Sequence, residues 1–520
     1  MARIAVIGAG TASMAAAARL ATGGHQVVLH ERSDTYGGAL GVCARDGFRF
    51  DTGPGLLLLP AVQRDLFVKT GRKSLEDVVG LEQVDPAARH IVAGGTEVTL
   101  PNASRSGVVE ALDAAFGTGS GERWSQVMVR AREVWEVTRR PLLEDVLHDP
   151  AAQARDPYPA TRRGLFRRAT PPTLAGVAAA ELGGGGLGAL LESWALAYGL
   201  DPRTAPAAAA VLPYLEQTFG VWYVRGGMRA YAEALYERCR ERRVEFRFDS
   251  AVTGLLREGG RAAGVVLAGG SSVPADVVVA GAPLPALYAD GVLPPEQAGA
   301  GRDAAPYRGP LGEPGRCTVH LALRGARPAG TVHRTVVHAA DRAAEAEWVF
   351  GPRRGRPLPP AGALTVTVLR PDDPATRPDD AHEAVTLVAT VPCHDPGDPG
   401  APDDGVRGLD WDAPGAAAAF AERMVEAAEA AVPGLREREM WREVRTPADT
   451  ARDTGAPGGS VPAPALAGAG GALLRPGNVP AVPGLYLVGG WAHPGGGLPH
   501  AGMSGAIVAD LIAGGPGGSR

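Results

Sequence analysis

The sequence has few cysteines and no excess of positive charge, and each of these two shortages excludes a class of protein. Only Lys69 and Lys73 are lysines, and the formal net charge is −5. A general nucleic-acid binder needs a basic surface, so no nucleic-acid partner is expected. Four cysteines in a chain of this length are too few for a disulfide-rich secreted fold, which fits a cytoplasmic protein. They also lack the spacing of metal ligands. The cysteines are Cys43, Cys239, Cys317 and Cys393.

Long apolar runs are also missing. No run reaches the roughly 18 residues that a membrane-spanning helix needs, so no span is predicted. The small apolar segment 4–21 lacks a basic start and contains Arg19, so we do not assign a signal peptide. What is present is 520 residues with 45% hydrophobic content, enough for two domains with sizeable cores. The 72 glycines and 45 prolines predict many tight turns.

The N-terminus has the pattern of a nucleotide-binding βαβ unit. An apolar run of strand length at 3–7 leads into a Gly-Ala-Gly turn, and an Ala-rich helical stretch follows. A second short strand at 26–29 runs into Glu31, whose carboxylate is suited to accept hydrogen bonds from a ribose. The pattern therefore predicts a dinucleotide site, with a purely structural βαβ unit as the alternative.

Each position of the glycine turn has a physical role. Gly8 permits the tight bend, and Gly10 lets a pyrophosphate approach the backbone. The helix that begins near Thr11 and Ala12 directs its N–H groups and its positive dipole end at the phosphates. Ser13 stands where this pattern usually has a third glycine, so we expect a slightly displaced helix rather than a lost site.

Three further motifs carry a resemblance to a known family. A Gly-Gly pair at 37–38 follows the acidic residue, and the segment F-D-T-G-P stands at 50–54. Near the C-terminus, H-P-G-G-G at 493–497 lies between a strand-like segment and a helical one. With these motifs the sequence resembles the phytoene desaturase-type FAD-dependent oxidoreductases, within the amine-oxidase-like flavoproteins. The resemblance implies FAD as the cofactor.

The resemblance also assigns cofactor-binding roles. In the family the first two motifs lie beside FAD, and Val252 marks where the chain meets the adenine through backbone atoms. The C-terminal motif lines the ribityl chain and the isoalloxazine, and a helix over about 503–512 follows. The implied cofactor-binding residues are Gly8, Gly10, Thr11, Ala12, Glu31, Arg32, Gly37, Gly38, Gly53, Pro54, Val252, Gly489, Gly490, His493, Gly497 and Leu498.

The implied fold is α/β, with a Rossmann-like FAD-binding domain assembled from three discontinuous segments, 1–70, 215–290 and 440–520. Segments 71–214 and 291–439 then form an α+β substrate-binding domain with an antiparallel sheet and a helical cap. Helices are predicted over 105–146 and 174–212, rich in Ala and Leu. Strands are predicted at 277–280 and, for the second domain, at 318–324, 331–338, 364–369 and 385–391.

The segment 150–173 is predicted to be a loop and is rich in arginine. Such a cluster can touch anionic lipid headgroups, which would place the protein at the inner face of the plasma membrane. A solvated loop is the alternative. The cluster consists of Arg155, Arg162, Arg163, Arg167 and Arg168 around Leu165 and Phe166.

Two residues are candidates for a catalytic role. His493 adjoins the flavin in the family, so it is expected to hydrogen-bond the cofactor or shuttle a proton, with a plain turn residue as the alternative. Arg225 is expected to orient the substrate or the FAD phosphates, with a structural salt bridge as the alternative. His320, His333 and His338 lie on predicted strands without distinctive ligand spacing, so no metal site is predicted.

The resemblance leaves more than one function open. The first hypothesis is desaturation, in which hydride moves between flavin N5 and a long apolar, carotenoid-like polyene. The second is a secondary-metabolite enzyme of the same fold that takes electrons from NADPH and reduces or cyclises a polyene, such as a polyene tetramate macrolactam. An amine oxidase is a minor variant, since no aromatic cage is evident. A non-enzymatic prenyl-lipid-binding escort protein is opposed by the retained H-P-G-G-G segment. No oligomeric state is predicted.

Overall fold

The computed structural model describes residues 1–147, 156–159, 161–163, 167–169, 173–289, 291–293, 313–351, 358–397, 408–468 and 474–514. Its strands, in chain order, are β1 Arg3–Ile7, β2 Gln26–His30, β3 Val42–Arg45, β4 Phe48–Asp51, β5 Leu57–Leu58, β6 Leu81–Gln83, β7 Ala88–Ile91, β8 Glu97–Leu100, β9 Thr161–Arg163, β10 Arg167–Ala169, β11 Val221–Val224, β12 Glu245–Arg247, β13 Val252–Glu258, β14 Arg261–Leu267, β15 Ser272–Pro274, β16 Val277–Ala280, β17 Gly315–Arg324, β18 Arg334–Val337, β19 Val366–Leu369, β20 His382–Val391, β21 Glu439–Arg445 and β22 Leu485–Leu487.

The α-helices, in chain order, are α1 Thr11–Thr22, α2 Pro60–Thr70, α3 Arg105–Phe116, α4 Ser120–Arg139, α5 Leu174–Glu181, α6 Gly185–Ala197, α7 Val211–Phe219, α8 Met228–Glu241, α9 Leu284–Ala289, α10 Arg342–Phe350, α11 Ala416–Ala428, α12 Leu435–Arg438, α13 Pro447–Thr454 and α14 Leu498–Gly514. A π-helix covers Arg140–Glu144, and short 3₁₀ turns cover Ala207–Ala210, Pro374–Thr376, Pro457–Gly459 and Ala465–Gly468.

A five-stranded parallel sheet brings distant parts of the chain together. Its order is β12-β2-β1-β16-β22, and every neighbouring pair is parallel. β1 is apolar and buried from Ile4 to Ile7, as expected for a strand covered on both faces. Helix α1 packs against α8 and α14 on this sheet. The fold is α/β, with a Rossmann-like domain assembled from three discontinuous stretches of chain.

A seven-stranded sheet forms the second layer of the molecule. Its order is β21-β17-β20-β19-β18-β7-β8, and its strands include all four predicted in the second domain. These four strands pair antiparallel with one another, as predicted. The whole sheet is mixed, because β7, which was not predicted, runs parallel to β18. β21 pairs with β17, so residues 439–445 lie in this sheet. The third segment predicted for the FAD-binding domain, 440–520, therefore contributes only β22 to the parallel sheet.

The predicted helical regions form a cluster with an apolar core. Helices α3 to α7 surround buried aromatic side chains, among them Trp124, Trp135 and Trp194. Two of these helices begin at side-chain caps, since Ser104 Oγ accepts from Gly107 N at 3.3 Å and Thr173 Oγ1 accepts from Gly176 N at 3.1 Å.

The segment predicted to be an arginine-rich loop contains two short strands. Within 150–173, predicted to be a loop, β9 and β10 pair antiparallel in the register Arg163 with Arg167. Backbone pairing does not need the alternation of apolar and polar residues that this arginine-rich stretch lacks. Arg155, Leu165 and Phe166 of the predicted arginine cluster lie outside the described residues.

The C-terminal helix also differs from its prediction. α14 begins at Leu498, five residues before the predicted start near Met503, because Pro499 occupies the first turn, where a helix tolerates proline. Within the described part of the chain, no helix combines the length and apolar character needed to cross a bilayer.

Candidate functional site

The glycine turn after β1 leaves a helix N-terminus open. Gly8 has a φ of +88°, and its N–H donates to the His30 carbonyl at 2.8 Å. Gly10 is the N-cap of α1 without a side-chain cap, and a Cβ built on it would meet no atom within 4 Å. The N–H groups of the first turn, those of Thr11 and Ala12 included, therefore face space that suits a phosphate.

Glu31 lies against this turn, as the sequence predicts for a ribose-binding carboxylate. Its Oε2 accepts from Ala9 N at 2.6 Å, and its Oε1 accepts from Ser33 N at 2.9 Å. The Glu31 carbonyl accepts from Ser250 N at 2.8 Å, which places the segment before Val252 beside it. Arg32 points elsewhere, since its Nη2 donates to the Arg452 carbonyl at 2.8 Å.

The Gly-Gly pair closes on the first turn. Gly37 N donates to the Ala9 carbonyl at 2.9 Å, and a Cβ on Gly38 would lie 3.1 Å from Gly10 Cα. Both glycines have positive φ, +107° and +57°. A side chain would therefore be strained by conformation at both positions and crowded at both, since a Cβ on Gly37 would lie 3.0 Å from the Leu40 carbonyl oxygen.

The C-terminal glycines approach the same helix. Gly489 has a φ of +110°, and a Cβ on it would lie 3.8 Å from the Ala12 Cβ. Gly490 passes close to Pro462, and Gly497, with a φ of +103°, precedes Leu498 at the start of α14. The structure thus brings the third predicted region to the first turn of α1.

Gly53 and Pro54 are the last two residues of the F-D-T-G-P motif at 50–54. A Cβ on Gly53 would overlap the Ala39 carbonyl oxygen, so this glycine allows close contact with the Gly-Gly segment. Pro54 is exposed. Gly53 also lines a cleft together with Asp51 and Tyr223.

Ser13, which replaces the third glycine, faces a compensating glycine. Its side chain is buried, and a Cβ built on Gly281 would overlap its Oγ. Gly281 follows β16 and donates its N–H to the Ile7 carbonyl at 2.9 Å. The close approach of helix and strand is therefore achieved here by a glycine on the strand side.

His493 makes the contacts of a turn residue. It is fully buried, its Nε2 donates to the Asp145 carbonyl at 3.0 Å, and its own carbonyl accepts from Asn478 and Ser504. Burial lowers the pKa of His493 to about 4, so the ring is neutral near pH 7 with Nδ1 as an acceptor. His500, in the first turn of α14, is also buried, and burial lowers its pKa to about 3.

Arg225 lies at the surface in an ion pair. Its Nε is 2.6 Å from Glu82 Oε1, and about half of each side chain is exposed. These are the contacts of the structural salt bridge that the sequence left as the alternative.

The three strand histidines have different surroundings. His320 packs on Phe50 with ring centroids 4.9 Å apart, and His338 Nε2 is 3.0 Å from His90 Nδ1. His333 lines a cleft beside Tyr223. Among the described residues, no three His, Cys, Asp or Glu side chains are grouped to hold a metal ion.

Asp51 has a role that the sequence analysis did not assign, although it stands in a quoted motif. Its carboxylate accepts from Met228 N at 2.8 Å and Arg229 N at 3.1 Å, so it caps α8 from β4. Burial raises the pKa of Asp51 to about 6. Arg229 in turn donates to Thr35 Oγ1 at 2.9 Å and lies 4.2 Å from the ring centre of Tyr36. The cap therefore fixes α8 against the Gly-Gly segment.

These features fit FAD. An uncapped helix N-terminus follows a glycine with open space beside it, a carboxylate stands at the end of the second strand, and glycines from three chain regions converge there. Pyrophosphate, ribose and the ribityl chain each require one of these features.

Comparisons with known proteins agree with this site. Residues 14–368 match the family described as flavin containing amine oxidoreductase. A hydroxyneurosporene desaturase from Rubrivivax gelatinosus is 29% identical over 98% of this chain and 93% of its own length. A 4,4'-diapolycopene oxygenase from a Methylomonas species is 31% identical, but the match spans only about half of each protein, 53% of this chain and 55% of the oxygenase.

The fold has counterparts among solved structures. An oxidoreductase from Methanosarcina mazei superposes with a TM-score of 0.62 at 15% identity, covering 98% of this chain and 100% of that one. At this identity the likeness supports the fold alone. The family match covers more than half of the chain and agrees with the glycine-lined site. The chain therefore belongs to the flavin containing amine oxidoreductase family and is an FAD-dependent oxidoreductase.

Proposed function

We propose that the protein is an FAD-dependent desaturase of a long apolar polyene. The observation that carries the proposal is the match to a hydroxyneurosporene desaturase along nearly the whole of both chains. The glycine-lined site at the N-terminus of α1 supports it, because desaturation needs a tightly held redox cofactor and little other catalytic machinery.

Different residues of the chain are assigned to different parts of FAD. We assign the pyrophosphate to Gly8, Gly10 and the first turn of α1, and the ribose to Glu31. The segment at Val252 meets the adenine, while Gly489 and Gly497 border the ribityl chain and the ring system. The bound cofactor supplies the hydride acceptor.

The substrate half-reaction balances as a two-electron oxidation. A carbon–hydrogen bond of the polyene breaks as hydride is given up, a proton passes from the neighbouring carbon to solvent water, and the single bond between the two carbons becomes double. His493, neutral near pH 7 and tied to Asp145, is proposed to position the C-terminal glycine turn rather than to act as the base. Arg225 is proposed to stabilise the fold through Glu82.

An anaerobic single-turnover experiment tests the function. A carotenoid-type polyene dispersed in detergent is added to FAD-loaded protein, and flavin absorbance is recorded. We expect bleaching together with a red shift of the polyene spectrum, as one double bond is added. Gly10→Val is the matched control, because a branched side chain would fill the pyrophosphate position and prevent FAD loading.

Addition of NADPH without polyene is the decisive second arm. A flavin that stays oxidised agrees with electrons arriving from the polyene. Rapid bleaching by NADPH in this arm, together with no oxidation of polyene in the first arm, would contradict the desaturase proposal in favour of a reductive enzyme.

A further inference from the structure

A buried asparagine joins the two ends of the loop that carries Gly489 and Gly490. Asn478 is fully buried, its own carbonyl accepts from Leu487 N at 2.9 Å, and its Nδ2 donates to the Leu487 carbonyl at 3.0 Å. The same Nδ2 donates to the His493 carbonyl at 2.8 Å. One residue therefore fixes both the last residue of β22 and the first residue of the H-P-G-G-G segment.

A buried serine holds the same loop from the side of α14. Ser504 Oγ accepts from Gly489 N at 3.0 Å and donates to the His493 carbonyl at 2.9 Å. It also lies 3.3 Å from Asn478 Nδ2, so the two side chains form one connected network. Ser504 is fully buried, and three hydrogen bonds hold its hydroxyl group in one orientation. We call Asn478 and Ser504 the clasp of the loop 488–492.

The loop between these fixed ends carries backbone donors that have no partner. The N–H groups of Gly490 and Trp491 make no hydrogen bond with any described residue. Gly489 lies beside Ala12 in the first turn of α1, where we place the cofactor. Backbone donors in such a position need an acceptor, and the oxygen and nitrogen atoms of FAD provide acceptors. The clasp therefore sets where these two donors stand.

The clasp does more than fill space. An apolar side chain of similar size would fill the same volume, but it would leave the carbonyls of Leu487 and His493 with fewer donors, which is costly for buried groups. The loop has no regular secondary structure, so hydrogen bonds from side chains decide its conformation. A displacement of about 1 Å near a reacting centre can slow a reaction about a hundredfold, so a loop beside the ring system has to be held accurately.

We propose that Asn478 and Ser504 are positioning residues, which act through the loop 488–492 to place the flavin end of FAD. In this role neither side chain touches the substrate, and both act on the backbone that borders the cofactor. The inference rests on the proposed function for its placement of FAD, with Gly489 and Gly497 beside the ribityl chain and the ring system.

Two variants remove the clasp and largely keep the volume of its side chains. For Ser504→Ala and Asn478→Leu we measure the dissociation constant of FAD, the visible circular dichroism of the bound flavin and the rate constant of its reduction by polyene. Each dissociation constant should rise about tenfold, the change that roughly one lost hydrogen bond produces. The dichroism, which reports the surroundings of the ring, should change, and reduction should be roughly tenfold slower or more. Ser504→Ala, the smaller change, decides the question alone if Asn478→Leu does not fold.

Matched controls remove equivalent hydrogen bonds elsewhere in the protein. Ser120 is fully buried and its Oγ donates to the Phe116 carbonyl at 3.1 Å, so Ser120→Ala is the control for the serine. Asn102 Nδ2 bridges the carbonyls of Val84 and Val221 at 2.7 and 2.9 Å, so Asn102→Leu is the control for the asparagine. Both controls should lose stability but keep the wild-type dissociation constant of FAD and the wild-type flavin dichroism.

The outcomes separate this inference from the desaturase function. Wild-type FAD affinity and dichroism in both clasp variants would overturn the positioning role. Equal losses of FAD affinity in the clasp variants and in their controls would also overturn it, because the effect would then come from stability alone. FAD affinity and dichroism are measured without polyene. A protein that shows the expected changes but oxidises no polyene would therefore overturn the function and leave the positioning role in place.

Discussion

At the scale of single residues, local chemistry explains why part of the site is predictable. Gly8, Gly10 and Glu31 follow from rules that act within one turn or one strand end, and the structure brings all three together. The partner of Ser13 does not follow from such rules. Gly281 is 268 positions away in the chain, and only the pairing of β1 with β16 brings it opposite Ser13.

The pair Ser13 and Gly281 gives a stability prediction. Gly281→Ala should lower the free energy of unfolding by about 1–3 kcal/mol, because its methyl group would overlap Ser13 Oγ and overpack the contact of helix with strand. The measurement is urea unfolding at saturating FAD. Adding Ser13→Gly should recover much of the loss, a coupling that a double-mutant cycle quantifies.

Gly477→Ala is the matched control for this cycle. A Cβ on Gly477 meets no atom within 4 Å, so its unfolding midpoint should stay near that of the wild type. A Gly281→Ala protein as stable as this control would contradict the close contact.

At the scale of elements, short apolar runs with clear boundaries are predictable. β16 covers the predicted residues 277–280, because four apolar residues stand between Asp276 and Gly281. β7 and β8 are equally short, but their sequences A-R-H-I and E-V-T-L contain polar residues and form no apolar run. β7 is placed by pairing with β18, more than 240 positions away. The cleft lined by Asp51, Tyr223 and Thr386 is equally hidden from sequence reasoning, because its walls come from three separate parts of the chain.

The cap of α8 by Asp51 predicts a pH dependence. The pKa of Asp51 is raised to about 6, so the folded protein binds its proton more tightly than the unfolded chain does. The associated stabilisation is present below the ordinary aspartate pKa and is lost as pH rises through about 6. The loss amounts to at most ~3 kcal/mol, at 1.4 kcal/mol per unit of pKa.

Asp51→Asn isolates this contribution, because an amide does not titrate. The difference in unfolding free energy between wild type and variant is measured from pH 4 to pH 7, and wild type should lose stability relative to the variant over that range. A difference independent of pH would show that the carboxyl group stays ionised, held by the N–H groups of Met228 and Arg229.

At the scale of the whole molecule, one cofactor site depends on three distant stretches of chain. The parallel sheet draws strands from the regions around residues 3–30, 245–280 and 485–487, and each region contributes to the proposed FAD site. The division into segments 1–70, 215–290 and 440–520 stays a prediction, although the strands of the sheet fall inside those limits. Occupancy of the site should therefore stabilise the entire domain.

This linkage is measurable. FAD at about 100 times its dissociation constant should raise the free energy of unfolding by about 2.7 kcal/mol, if the unfolded chain does not bind it. Thermal unfolding of cofactor-free protein with increasing FAD is the experiment, with Gly10→Val as the control that gains nothing. A wild-type midpoint that does not respond to FAD would contradict the assignment of the site.

The position of β22 at the edge of the parallel sheet has a consequence for synthesis. β1 leaves the ribosome roughly 480 residues before β22, which at bacterial or eukaryotic elongation rates corresponds to about half a minute or more. Throughout that interval the apolar face of α1 lacks α14, and once β16 has been made its outer edge stays unpaired until β22 follows. FAD is therefore expected to bind only after most of the chain has been synthesised. Until then, chaperones would bind a domain whose parallel sheet is incomplete.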